Sequence, residues 1–207
     1  MDFPDFDRHA DALAATGRRL WQLGLSPATS SNYSCRLDAD HCVITRSGRD
    51  KGLLTAADIM VVDMAGQPIN GGKPSAETGL HTQLYRRFAA MGAVLHTHSI
   101  ATTALTMHCL KSEELVLEGY ELLKVFDGID THATRIHLPV FPNTQDIDQL
   151  ARDVDARFDQ GDFPAYLIRG HGLYTWADTL DHCFHQIEAL EHLLKVELLR
   201  HQTGDMT

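Results

Sequence analysis

The segment Ala93-Val-Leu-His-Thr-His-Ser99 decides the fold, because its apolar run predicts a buried strand that ends on two histidines. Around it, strands and helices interleave irregularly, with some hairpin-length connections. The patterns predict helices over 6–23, 75–90, 100–109, 115–126, 144–160 and 178–201, and strands over 33–37, 42–45, 59–63, 93–99, 136–141, 165–168 and 173–176. Without repeats or a linker, residues 1–207 are predicted to form one domain. We predict the α/β class, a mixed sheet with helices on both faces in three layers.

Composition narrows the functional classes. The 207 residues are 43% hydrophobic, enough for one well-buried domain. Lys and Arg number 18 against 28 Asp and Glu, a net charge of −10, which argues against binding nucleic acid through its phosphates. No apolar run approaches the roughly 20 residues that span a bilayer, and the acidic start MDFPDFDRHA is unlike a signal peptide. We therefore expect a cytoplasmic protein with no membrane or nucleic-acid partner.

The four cysteines are Cys35, Cys42, Cys109 and Cys183. They are widely spaced and include no CxxC pair, so the sequence predicts neither a disulfide framework nor a cysteine-rich zinc site.

Histidines are the chemically suggestive residues. His96 and His98 lie two apart on the predicted strand, so their side chains share one face and can converge on one ion. An HxH pair is also typical of polar residues that finish a strand. His171 adds a third candidate ligand, and its flanking glycines, Gly170 and Gly172, allow close backbone approach and unusual dihedral angles. Three histidines with a vacant fourth position are the composition of a catalytic zinc site.

Three polar loops are typical of anion binding. Ser30-Ser-Asn32 and Thr45-Arg-Ser-Gly48 offer hydroxyls and backbone N–H groups, and Ser75 lies at a predicted helix N-terminus. Lys51 and Lys73 are close in sequence. Each loop alone could be a plain turn, but together they are compatible with a small phosphorylated substrate.

Two carboxylates are candidates for proton transfer. Glu77 occupies the first turn of a predicted helix, where the helix dipole favours an anion in any case. Glu121 has Glu118 nearby, which makes it ambiguous on pattern alone, and the sequence pattern does not decide whether Glu77 or Glu121 transfers the proton. On the last predicted helix, His182, His185 and His192 are typical of solvated side chains; a weaker hypothesis gives them a metal-storage role.

The order of these motifs resembles the class II aldolase and adducin family over roughly residues 10–200. The shared pieces are the Ser-Asn loop, Thr-Arg-Ser-Gly, Lys-Pro-Ser-Ala-Glu-Thr, His-Thr-His-Ser and the late Arg-Gly-His-Gly. Leu138-Pro-Val-Phe-Pro-Asn-Thr-Gln145, with Tyr-Glu-Leu-Leu-Lys at 120–124, resembles one branch in particular. That branch dehydrates 5-methylthioribulose 1-phosphate in methionine salvage.

The resemblance implies a three-layer αβα subunit with a largely antiparallel sheet, assembled as a homotetramer. It implies one Zn²⁺ per subunit, held by His96, His98 and His171. It further implies a substrate site whose residues are Ser31, Asn32, Ser47, Gly48, Ser75, Ala76 and Glu77. The expected reaction is zinc-dependent loss of water from a small sugar-like phosphate to give 2,3-diketo-5-methylthiopentyl 1-phosphate, catalysed by a lyase.

The same resemblance leaves alternatives. In the dehydratase branch the acid/base is a glutamate that matches Glu121, whereas in the aldolase branch it matches Glu77, and this sequence has both. A sugar-phosphate aldolase of the fuculose or rhamnulose type, or a 4-epimerase, is therefore the first alternative. A metal-free interaction module, as in adducin, is the second, although such a module has no need of all three histidines.

Overall fold

Eight strands form one mixed sheet in the computed structural model, which describes residues 3–109 and 112–204. The strands are β1 (Asn32–Arg36), β2 (His41–Thr45), β3 (Ile59–Asp63), β4 (Ala93–Thr97), β5 (Glu114–Glu118), β6 (Arg135–Phe141), β7 (Ala165–Ile168) and β8 (Gly172–Ala177). Their order is β3-β2-β1-β4-β8-β7-β6-β5. Only the β6–β7 pair is parallel among the paired strands described. The sheet is therefore largely antiparallel, as predicted.

Helices cover both faces of the sheet. They are α1 (Phe6–Gln22), α2 (Thr78–Arg87), α3 (Ile100–Ala104), α4 (Ile147–Phe158) and α5 (Leu180–Thr203). Apolar side chains of α1, α3 and α5 belong to one buried cluster, and those of α2 and α4 belong to a second. Side chains of a strand alternate between the two faces, so six of the strands contribute to both clusters, namely β2, β3, β4, β6, β7 and β8. The predicted three-layer α/β architecture is confirmed.

The predicted helix over 115–126 is wrong. Residues Glu114–Glu118 form β5, in which Leu115 and Leu117 are buried and Val116 is exposed. This alternation has the two-residue period of a strand that packs on one face only. β5 pairs antiparallel with β6, and the sequence of β5 alone did not reveal that pairing. Only Glu121–Val125 is helical in this region, as a short 3₁₀ turn.

Register in the middle of the sheet brings distant polar residues together. Asn32 on β1 lies opposite His96 on β4, and His96 lies opposite Tyr174 on β8. β4 ends at Thr97, and the Ser99 hydroxyl then accepts a hydrogen bond from the Thr102 N–H to begin α3. The start of β1, the end of β4 and the start of β8 therefore lie side by side in the middle of the sheet.

No helix in residues 3–109 and 112–204 is long and apolar enough to cross a membrane. Cys35, Cys42 and Cys183 are buried free thiols, while the side chain of Cys109 lies outside the described part.

Candidate metal centre and substrate cavity

The three histidines His96, His98 and His171 converge at the end of β4 and β8. Each offers one ring nitrogen to a group whose atoms all lie within 4.8 Å of one another. The Nε2 atoms of His96 and His98 are 2.8 Å apart. Ligands about 2.0–2.1 Å from one tetrahedral ion are roughly 3.3 Å apart, so a small closing or opening of this group accommodates one ion.

Hydrogen bonds and burial prepare these rings to act as ligands. The His96 Nδ1–H donates to the backbone oxygen of Leu173 at 2.9 Å, which leaves the Nε2 lone pair facing the group. His171 Nδ1 faces Asn143 Oδ1 at 3.3 Å. Burial lowers the pKa of His96 to about 4, and burial together with the neighbouring imidazoles lowers the pKa of His98 to about 3. Both rings are therefore neutral near pH 7, as metal ligation requires. The donor set fits a divalent metal ion.

Two different structural constraints require glycine at the positions that flank His171. Gly170 has φ +65°, in the left-handed region that favours glycine. Gly172 has no room for a side chain, because a Cβ there would lie 2.1 Å from the backbone oxygen of Thr97. The prediction of an unusual dihedral and a close backbone approach is thus confirmed, and both place His171 beside His96.

Glu77 lies against this group, just before α2. Its carboxylate accepts hydrogen bonds from Asn32 Nδ2 at 2.7 Å and from the Tyr174 hydroxyl at 2.8 Å. Its oxygens lie 2.9 Å from His171 Nε2 and 3.4 Å from His96 Nε2. Burial acts to raise the pKa of Glu77, but the nearby histidines and the Asn32 amide outweigh it and hold that pKa well below the usual range. Glu77 is therefore an anion at the centre of the site.

A buried hydrogen-bond chain orients the Asn32 amide. His81 on α2 is fully buried, with Nδ1 2.7 Å from the Ser34 hydroxyl and Nε2 bonded to Asn32 Oδ1. The Ser34 hydroxyl also lies 2.8 Å from the Tyr85 hydroxyl. Since Asn32 Oδ1 accepts from His81, its NH₂ group is directed at Glu77. No local sequence pattern marks His81, because its partners are 47 and 49 positions away in the chain.

A cavity of about 330 Å³ opens beside the histidines. Its lining includes His98 and every residue that the resemblance assigned to the substrate site, namely Ser31, Asn32, Ser47, Gly48, Ser75, Ala76 and Glu77. The loop before β1, the loop after β2 and the segment before α2 thus face one space. Thr144 and Gln145, from the Pro-Asn-Thr-Gln segment, line it as well.

The cavity combines left-handed backbone with a buried cation. Ser31 has φ +71° and Gly48 has φ +71°, and Ser31 is not a residue that usually adopts this conformation. Lys51 also lines the cavity and is only 1% exposed. Its Nζ donates to the backbone oxygens of Thr29 at 3.2 Å and Arg49 at 2.8 Å. An ammonium group has three donors, so one remains for a ligand. Burial lowers the pKa of Lys51 to about 8.

Glu121 is not among the residues that line this cavity. It begins the 3₁₀ turn after β5, where its side chain is 69% exposed and accepts a hydrogen bond from Lys124 Nζ at 2.6 Å. That lysine lowers the pKa of Glu121. The structure of one chain thus brings Glu77 to the three histidines and leaves Glu121 at the surface.

The histidines of α5 lie apart from the group at β4. His182 contacts Asp178 and the backbone oxygen of Val125. Within the described residues, His96, His98 and His171 are the one group of this kind that could hold a metal ion.

Comparison with known proteins matches residues 11–198 to the family model described as Class II Aldolase and Adducin N-terminal domain. The chain belongs to the class II aldolase and adducin family. A methylthioribulose-1-phosphate dehydratase from Alcanivorax borkumensis is 60% identical over 190 residues, which cover 91% of this chain and 90% of that protein. One of the same name from Marinobacter nauticus is 51% identical over 202 residues, 96% of both chains.

Solved structures of other proteins share the fold. YgbL from Klebsiella pneumoniae superposes with a TM-score of 0.80 at 23% identity, over 94% of this chain and 90% of its own. L-fuculose-1-phosphate aldolase from Thermus thermophilus gives a TM-score of 0.75 at 25% identity, over 94% and 95% of the two chains. The predicted resemblance to this family, and to its dehydratase branch in particular, is confirmed.

Proposed function

We propose that this chain is a hydro-lyase that dehydrates 5-methylthioribulose 1-phosphate to 2,3-diketo-5-methylthiopentyl 1-phosphate, with residues 1–207 as one catalytic domain. The observation that carries the proposal is the cavity in which anion-binding loops adjoin three converging histidines. Relatives that are 51–60% identical over almost the whole chain and bear the dehydratase name support this substrate.

The loops account for binding of the phosphate group. Ser31, Ser47 and Ser75 offer hydroxyl or backbone donors around the cavity, and Lys51 adds a positive charge that is largely shielded from water. Phosphate contacts are remote from the reacting carbons, so their binding energy serves to hold C3 in position.

We propose that His96, His98 and His171 hold one Zn²⁺ ion per chain. When bound, the ion supplies the Lewis acidity that makes the proton on the carbon next to the C2 ketone easier to remove. Three imidazoles also suit iron, cobalt, nickel and copper, so the native ion is established by metal analysis of the purified protein. One ion per chain supports this site, whereas several tightly bound ions per chain would favour the storage role of the α5 histidines.

The reaction needs a base for the C3 proton and an acid for the departing C4 hydroxyl. Loss of the proton and of hydroxide as water leaves an enol, which becomes the 2,3-diketone. Glu121 stays the predicted acid/base. Because it is exposed and lies outside the cavity of its own chain, we propose that it reaches the cavity of a second chain in a homotetramer. Glu77, fixed by Asn32 and Tyr174, would then hold the substrate hydroxyls and balance the charge of the metal centre.

Mixed oligomers test this arrangement directly. Glu121→Gln and His96→Gln variants should each be inactive alone. Co-refolded together, they should regain activity, because one site of the mixture combines intact histidines with an intact Glu121. No recovery, from oligomers shown by native mass spectrometry to be mixed, would place the acid/base in the chain that holds the metal.

A sugar-phosphate aldolase is the second candidate, since Glu77 lies 2.9 Å from His171 and matches the acid/base of that branch. Product analysis separates the two reactions. With zinc-loaded protein and 5-methylthioribulose 1-phosphate, mass spectrometry should detect loss of one water molecule. Unchanged substrate, together with cleavage of the C3–C4 bond in fuculose 1-phosphate, would favour the aldolase.

A further inference from the structure

Helix α5 carries a carboxyl group into the core behind the three histidines. Glu191 is 6% exposed and lies among the apolar residues that α5 packs against the sheet. Its partners in the described part of the chain are hydroxyl groups. Thr97 Oγ1 donates to one carboxylate oxygen, and Thr102 Oγ1 donates to the other at 3.3 Å. A carboxyl buried without a cation is costly, and an apolar side chain of similar size would suit the core better.

The two threonines lie on either side of a metal-ligand candidate. Thr97 is the last residue of β4, between His96 and His98, and its side chain points to the opposite face from theirs. Thr102 lies in the first turn of α3, where the Ser99 hydroxyl accepts its N–H at 3.0 Å. The two oxygens of Glu191 therefore bind the chain just before and just after the turn that carries His98.

We infer that Glu191 is a positioning residue for the metal centre. By holding Thr97 and Thr102 together from behind the sheet, it fixes how far His98 stands from His96, 2.8 Å between their Nε2 atoms. Two further interactions restrain this turn: the His98 backbone N–H donates to the Leu25 oxygen at 2.8 Å, and the Ser99 hydroxyl, which also bonds to Glu191, donates to the Thr102 hydroxyl at 3.0 Å. The inference rests on the proposed metal site and does not depend on the substrate.

A matched control lies further along α5. Glu197 is 8% exposed and accepts hydrogen bonds from Tyr120 and Arg200, but it has no bond to β4 or α3 in the described structure. Glu191→Leu and Glu197→Leu both remove a buried carboxylate from α5, so they separate a general loss of stability from a specific effect on the metal centre.

The test is metal binding by the full-length protein. Zinc affinity is measured by chelator competition, and the geometry of the site by the ligand-field spectrum of the Co²⁺-substituted protein. We expect Glu191→Leu to weaken zinc binding about 10–100-fold and to shift the Co²⁺ spectrum, as loss of an outer-shell partner does in metal sites. Glu191→Gln, which keeps one acceptor and the shape, should restore most of the affinity. Glu197→Leu should leave both readouts at their wild-type values.

Thr97→Val keeps the inference testable if Glu191→Leu does not fold, because valine matches threonine in shape. It should weaken zinc binding as much as Glu191→Leu, and the double variant should be no weaker than either single variant. Wild-type zinc affinity and Co²⁺ spectrum in Thr97→Val or Glu191→Leu would overturn the inference while leaving the proposed reaction intact. A wild-type protein that binds no metal would overturn both proposals.

Discussion

Replacing Gly172 with alanine should disrupt the metal centre, because the added methyl group would push the backbone of β4 away from that of β8. A Cβ at residue 172 would lie 2.1 Å from the backbone oxygen of Thr97 and 2.7 Å from His96 Cε1. Neither neighbour is the free end of a flexible side chain, since one is the backbone of β4 and the other is a ring held by its own hydrogen bond to Leu173.

The size of the effect follows from these distances. A carbon and a carbonyl oxygen that are not bonded approach to about 3.3 Å, so β4 and β8 must separate by roughly 1 Å. Metal–ligand distances tolerate only about 0.2 Å, and His171 directly precedes the displaced residue. We therefore expect zinc affinity to fall at least as far as on loss of an outer-shell partner, about 10–100-fold, and stability to fall by about 1–3 kcal/mol from overpacking.

Gly92→Ala is the control. Its Cβ would lie 1.9 Å from the backbone oxygen of Asp178, at the opposite end of the same strand pair. Both variants should unfold at lower urea concentration, but only Gly172→Ala should lose zinc affinity in a chelator competition assay. Equal zinc affinity in the two variants would refute the argument that the Gly172 contact positions the histidines.

Three further predictions concern side chains of the cavity and its support. Lys51→Met should raise the KM for the phosphorylated substrate about 10–100-fold in steady-state kinetics, because a hydrogen bond to a charged group is lost. Zinc affinity should stay unchanged, and Lys195→Met, at an exposed position of α5, should have no effect. The pKa of Lys51 is about 8, so its charged form is lost as pH rises and kcat/KM of the wild type should fall above pH 8. Lys51→Arg should move that fall to higher pH. The same pH dependence of kcat/KM in both proteins would contradict the role of Lys51. Burial lowers the pKa of His81 to about 4 in the folded protein. Between pH 6.5 and pH 4 the unfolded metal-free chain therefore binds a proton at His81 that the folded chain does not. The stability due to neutral His81 is complete above the ordinary pKa of 6.5 and is lost as pH falls toward 4. In urea titrations, His81→Gln should reduce the stability difference between pH 7.5 and pH 5 by roughly 2 kcal/mol, and an unaltered difference would mean that His81 is already charged in the fold.

Local patterns predicted the elements whose signal is contained in a few neighbouring residues. Ala165–Ile168, for example, forms a strand with the predicted bounds. The sequence of β5 predicts a helix because Leu115 and Leu117 are followed closely by the apolar residues of the 3₁₀ turn, which obscure the two-residue period of the strand. Its strand geometry depends on pairing with β6, a contact between residues about 20 positions apart.

Within the site, sequence reasoning found the residues that carry a motif and missed those that act through tertiary hydrogen bonds. His96, His98 and His171 were suggested by strand alternation and glycine placement, both of which are local properties. His81 and Tyr174 gave no such signal. Each has a role only because α2 and β8 bring it to Asn32 or Glu77.

The placement of the two glutamates suggests why metal binding and turnover can be separated in this fold. The histidines and Glu77 stand on the central strands and the adjoining start of α2, between two buried clusters, where backbone pairing leaves little freedom. Glu121 instead follows β5, the edge strand, on an exposed turn whose described contacts are Lys124 and His132. A residue so placed contributes nothing to the metal centre of its own chain. It follows that Glu121→Gln should abolish turnover without altering zinc affinity, whereas a defect in Gly172 or Glu191 should reduce turnover only through the loss of metal.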